Sequence, residues 1–226
     1  MTKQEFLQLR SKAYGDEPLF VKDKYGEILK VSFYIDEYPE DPRNWDNLGT
    51  MIIYWSRYHL GDDHQNKTKE AWLDFFRKIQ SEEEQDNFCW LPIFIYEHGG
   101  ITISTGDFCD KWDSGFAGFI YVSKVNFYSQ TCFEGCDWKE KAKQILKGEI
   151  EIYRNYLEGD VYGFSIEERK LWEKRCPHCN EIIEQGYSWE NVDNVGGFYG
   201  DNIEDNGILD YLDYESWEYL PDFQEN

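Results

Sequence analysis

Apolar positions along the chain recur in two rhythms, and each rhythm predicts a different element. In "EILKVSFYID" (27–36) apolar and polar residues alternate and several are β-branched, which predicts a strand. "TMIIYWSRY" (50–58) is a short apolar run that reads as a second strand, and "LPIFIYEHGGITIST" predicts two strands joined near His98-Gly99-Gly100. "FAGFIYVS" (116–123) predicts a further strand, and "VYGFSIEERKLWEKR" a strand or hairpin. The helical rhythm appears in "KTKEAWLDFFRKI" (67–79), where Trp72, Phe75, Phe76 and Ile79 share one face.

Capping signals sharpen the helices. Thr2-Lys-Gln-Glu5 fits a capping box and predicts a brief opening helix. Asp137-Trp-Lys-Glu140 fits a second box, opening the longest helix, which runs to about Leu157 and stops at Gly159. Its core face is expected from Trp138, Ala142, Ile145, Leu146, Ile152, Tyr153 and Tyr156. "EYPEDPRNWDNLG", rich in Pro, Asp and Asn, is expected to be a long ordered loop. Together these elements predict an α+β fold with a mostly antiparallel sheet and two principal helices.

The 226 residues are enough for a core that needs no staples, and 18% aromatic content implies a core built largely from rings. Beyond Arg175 the composition changes. From Cys176 to Asn226 there are thirteen Asp or Glu, no Lys or Arg, and nine interleaved aromatics. The expected organisation is therefore an α+β core domain over 1–175 and an acidic, aromatic C-terminal segment over 176–226 packed on it.

That segment dominates a formal net charge of -22. Such a chain is repelled by nucleic acid and by anionic membranes, so its macromolecular partners are expected to be basic proteins. "MTKQEFLQLR" lacks the apolar segment of a signal peptide, and no run approaches the roughly 20 apolar residues of a membrane span. A cytoplasmic setting is expected, with the six cysteines reduced.

Three groups of residues are candidates for chemistry. The first is Cys176-Pro-His-Cys179, whose spacing suits half of a zinc site; Cys132 and Cys136, three residues apart, would complete a tetrahedral Cys₄ set, with His178 pointing away. Such a zinc would be structural, because four thiolates leave no open position. A reduced thiol pair without metal is the first expectation; a redox role fits least, since the pair does not both follow a strand and open a helix as a thioredoxin-like motif would. The second is His59, Asp62, Asp63 and His64 in "YHLGDDHQ", a set able to hold a catalytic metal in a hydrolase, although turn chemistry explains Gly-Asp-Asp without any metal and is the stronger expectation. The third is Ser114 beside Asp113, with His98 the nearest base; the flanks lack a nucleophile elbow, and backbone capping before a strand is the stronger expectation.

The acidic segment carries the functional expectation. Ordered carboxylates can imitate a duplex, which bears one charge per roughly 1.7 Å of axis, and so compete for the groove of a nucleic-acid-handling protein. Glu204, Asp205, Asp210, Asp213, Glu215 and Glu218 are the expected partner-binding residues of a non-enzymatic protein. A solvated acidic tail is the simpler alternative.

Five strings in order, "NWDNLGTM" (44–51), "YHLGDDH" (58–64), "WDSGFAGFIYV" (112–122), "GDVYGF" (159–164) and "GGFYGD" (196–201), resemble a family of uncharacterised proteins found largely in bacteriophage and prophage genomes. The resemblance spans roughly residues 28 to 210. It implies a viral accessory protein acting in a bacterial cytoplasm as an inhibitor of a host nuclease, polymerase or defence system. Relatives often carry Asp-Ser-Cys before the Gly-Phe-Tyr-Gly element, whereas this chain has Asp193-Asn194-Val195. A zinc site built on the family pattern would lack that cysteine.

Overall fold

The computed structural model describes residues 1–10, 15, 17–62, 68–110, 112–133 and 137–225. The fold is α+β with two antiparallel sheets, and the chain divides into two compact units, Met1–Pro39 with Gly159–Asn226 and Glu40–Glu158. The boundary expected at residue 175 falls instead inside the first unit, next to the turn of a long hairpin. The change of composition there marks a change of charge and not of core.

The second unit is a four-stranded sheet covered on both faces. Its strands are β3 (Thr50–Ile53), β4 (Phe88–Glu97), β5 (Ile101–Ser104) and β6 (Ser114–Ser123), in the order β3-β6-β4-β5. Alternation sorts the side chains: Met51, Ile53, Ile120 and Val122 face one core, while Ile52 and Phe119 face the other. Helix α4 (Trp138–Glu158) buries Trp138, Ala142, Leu146, Ile150 and Tyr153 against the first face. Helix α2 (Lys69–Ile79), capped by the Thr68 side chain, buries Trp72 and Ile79 against the second. Phe76 stacks on Phe119 there, ring centroids 4.4 Å apart. A short helix, α3 (Lys124–Gln130), follows β6 directly because Ser123 caps it, accepting from the Asn126 amide at 3.2 Å.

The first unit is a five-stranded sheet in the order β8-β7-β2-β1-β9, from β1 (Leu19–Lys22), β2 (Ile28–Ile35), β7 (Val161–Arg175), β8 (Ile182–Tyr199) and β9 (Glu218–Tyr219). Its core takes Phe6 from α1 (Lys3–Leu9), whose capping box between Thr2 and Glu5 forms as expected. Val31, Phe33 and Phe164 line the sheet, and Ile203, Ile208, Leu212 and Trp217 pin the C-terminal segment to them. The segment is thus ordered, held by buried aliphatics and by rings, with Tyr214 and Trp217 against Phe6 and Phe198 against Phe164. Strands β7 and β8 run past their neighbours as a two-stranded arm, exposed from Leu171 to Gln185 except at Cys176.

Candidate functional site

The turn between β1 and β2 is built by Asp23, whose Oδ1 accepts from the Tyr25 amide at 2.8 Å and the Glu27 amide at 2.9 Å. This turn forms one wall of an open groove of about 610 Å³ in the first unit. The sheet supplies the floor: pairing sets Leu29 opposite Glu168 and Ile166 opposite Asp193, so β2, β7 and β8 each bring side chains to it. The C-terminal segment supplies the far wall through Tyr211, Asp213 and Trp217.

The groove is acidic. Asp23, Glu27, Glu168, Asp193 and Asp213 line it, and Lys24 is the one cation among its described lining residues. Lys24 Nζ lies 3.1 Å from Asp213 Oδ2, and the contact raises the lysine pKa and lowers the aspartate pKa from their ordinary values. Tyr25 and Tyr211 add exposed rings, 79% and 62% accessible, beside these carboxylates. Lys24 Nζ already stands over the Tyr25 ring, 5.5 Å from its centroid, and shows the chemistry that suits a cationic guest here, charge pairing and ring contact together.

All six acids singled out in the sequence are exposed. Asp213 lines the groove; Glu218 lines a separate cleft with Glu5; Glu204 pairs with Lys3 at 3.3 Å, and Asp205 is bonded by Asn202. The acids that complete the groove with Asp213 escaped sequence reading because sheet pairing, not spacing, brings them together. The only local signal was the Asp-x-Tyr-Gly-Glu turn at 23–27.

Cys176 and Cys179 sit at the end of the β7–β8 arm. Cys176 N donates to the Glu181 carbonyl at 2.8 Å, Asn180 N donates to the Cys176 carbonyl at 2.9 Å, and Asn180 adopts a left-handed φ of 59°. The amides of His178 and Cys179 donate to the Cys176 sulfur and lower its pKa, with help from the Cys179 thiol. Of the other pair in the expected zinc set, Cys132 is exposed in the second unit and Cys136 lies outside the described residues.

Asp62 has a structural task. Its two oxygens accept from Arg43 Nε at 2.7 Å and Nη2 at 3.1 Å, and Oδ2 also accepts from the Met51 amide at 2.8 Å. His59 is exposed, and Asp63 and His64 lie outside the described residues. Arg43 Nη1 reaches Glu149 at 3.0 Å, and Glu149 accepts from the Leu48 and Gly49 amides at 2.9 and 3.0 Å. The strings at 44–51 and 58–64 thus meet around one buried guanidinium. Ser114 donates its hydroxyl proton to the Asp110 carbonyl, while His98 Nδ1 lies 2.9 Å from Asp113, so serine and imidazole do not form a nucleophile–base pair. The loop is capped by Asp110, which accepts from the Trp112 and Asp113 amides.

No family model, curated protein or solved structure matches the chain. Among the described residues, no helix is long and apolar enough to cross a membrane.

Proposed function

We propose that this is a binding protein that engages a basic, nucleic-acid-handling protein through the acidic groove and the exposed carboxylates around it. The observation that carries the reading is the groove lining itself: five carboxylates and one lysine beside exposed tyrosine rings, with one wall on a C-terminal segment pinned by buried side chains. Lysine or arginine side chains that normally meet phosphates would find fixed carboxylates here. The net charge of -22 would steer such a partner in and make the encounter steeply salt-dependent. The resemblance to phage and prophage proteins supports a bacterial host as the setting and inhibition as the consequence.

The test is capture from a nuclease-treated bacterial lysate on the immobilised chain, eluted in salt steps, beside an Asp193→Lys/Asp213→Lys variant. Basic nucleic-acid-binding proteins should be retained by the wild type, released by moderate salt and missed by the variant. Equal retention by both proteins would sink the reading.

A further inference from the structure

The Cys176–Cys179 turn brings two thiols, half of a tetrahedral thiolate set, to the tip of the β7–β8 arm. Cys176 N donates to the Glu181 carbonyl at 2.8 Å, Asn180 N donates to the Cys176 carbonyl at 2.9 Å, and the left-handed Asn180 folds the chain back so that both thiols belong to one tight turn. Two ligands do not fill the four positions of Zn²⁺. Glu181 accepts from Cys179 Sγ at 3.5 Å, yet among the described residues no three His, Cys, Asp or Glu groups converge as a metal site.

We infer that the turn binds Zn²⁺ together with the same turn of a second copy, so that two Cys176–Cys179 pairs form one Cys₄ site that clasps a dimer. The arm favours this partner in three ways. It is exposed on all sides from Leu171 to Gln185 apart from Cys176, so a neighbour can approach the tip. It carries little of the charge of the rest of the chain: from Leu171 to Gln185 there are two bases and three acids, -1 in a protein of -22. Two copies therefore meet with least repulsion tip to tip. It also offers apolar surface for a two-fold contact, with Leu171 at 54% and Ile183 at 60% accessibility alongside Trp172 and Ile182. This inference is independent of the acidic groove and of what binds there.

The full chain, reduced and loaded with Zn²⁺, should hold about 0.5 zinc ions per chain and scatter light as a particle of about twice 27.1 kDa. Chelation should return it to the mass of one chain with its circular dichroism unchanged. Cys176→Ser/Cys179→Ser should bind no zinc and stay monomeric while folding normally, since the turn is at the surface. Cys132→Ser/Cys136→Ser should keep both zinc and dimer. A monomer with one zinc, a dimer that survives chelation, zinc retained by the Cys176/Cys179 variant, or no zinc at all would each overturn the clasp. Loss of zinc in the Cys132/Cys136 variant would also overturn it, and would return the metal to a site within one chain.

Discussion

Arg43 Nη1 lies 3.0 Å from Glu149 Oε2, and the contact ties the turn at Pro42–Asn44 to the middle of helix α4. The Arg43 side chain is 3% accessible and the Glu149 side chain 10%, so neither charge is served by bulk water. Burial opposes the Arg43 charge, but Asp62 and Glu149 outweigh it and hold the guanidinium pKa above its ordinary value. Removing one partner of such a pair leaves a buried charge undercompensated and frees the Leu48 and Gly49 amides as well. Glu149→Ala is expected to cost about 3 kcal/mol, within the usual range for breaking a buried pair. Urea unfolding followed by tryptophan fluorescence measures this; a cost under about 1 kcal/mol would show that the pair is solvated in practice.

The same carboxyl gives a pH signature. Burial pushes the Glu149 pKa above its usual 4.5, against the pull of the Gly49 amide and Arg43. Between the unfolded and folded values the native chain keeps a proton that the unfolded chain has lost. The contribution of this group is therefore full below 4.5 and is lost as pH rises through the folded value. Carboxyls with lowered pKa, such as the exposed Asp86 and the half-buried Asp110, run the other way, losing their contribution as pH falls. Comparing wild type with Glu149→Gln from about pH 4 to about pH 8 separates the two. The stability of wild type relative to the variant should fall as pH rises, and a flat difference would contradict the role given to burial.

Tyr153 tests a single buried hydrogen bond. Its hydroxyl accepts from the Gly61 amide at 2.9 Å, Gly61 holds a φ of 75°, and burial pushes the phenol pKa up to about 12. Tyr153→Phe keeps the ring and orphans the amide, which should cost about 1–2 kcal/mol. Unfolding in denaturant reads the loss, and an unchanged midpoint would mean that water replaces the hydroxyl.

Gly118 tests the sheet. A methyl group there would stand 1.8 Å from the Ile52 carbonyl oxygen, on the strand β3 that pairs with β6. Because the obstacle is backbone, no side-chain rotation relieves it. Gly118→Ala should cost roughly 3 kcal/mol, the upper end for overpacking. A variant as stable as wild type would show that these strands separate easily.

Helix α4 was legible in the sequence because its signals agree: Asp137 at one end, Gly159 in a left-handed conformation at the other, and a repeating apolar stripe between. The stripe is completed by Ile150, which is buried, and not by Ile152, which is only partly covered. Strand β8 was not legible. Much of it is exposed on both faces and is held by β7 alone, so nothing forces apolar and polar residues to alternate. The same physics hid most of the groove. Asp23, Glu168 and Asp193 lie far apart in the chain and meet only because β1, β2, β7 and β8 pair in register.

A last prediction separates an ordered acidic face from a solvated acidic tail. Ile208 is fully buried in the short turn Ile208–Asp210 and carries no charge, yet it holds the segment bearing Glu204, Asp205, Asp210 and Asp213. If fixed carboxylate positions matter, loosening this pin should weaken partner capture although every charge is still present. Ile208→Ala should cost about 3 kcal/mol through lost burial and the cavity left behind. Limited proteolysis should then cut within 200–226 well before the rest of the chain. The informative comparison is with Asp210→Asn, which removes one exposed charge and should leave stability within about 0.5 kcal/mol. At a temperature where both variants keep native circular dichroism, an ordered face requires Ile208→Ala to elute at lower salt than Asp210→Asn. A tail that binds by charge alone gives the reverse order, because only Asp210→Asn changes the charge.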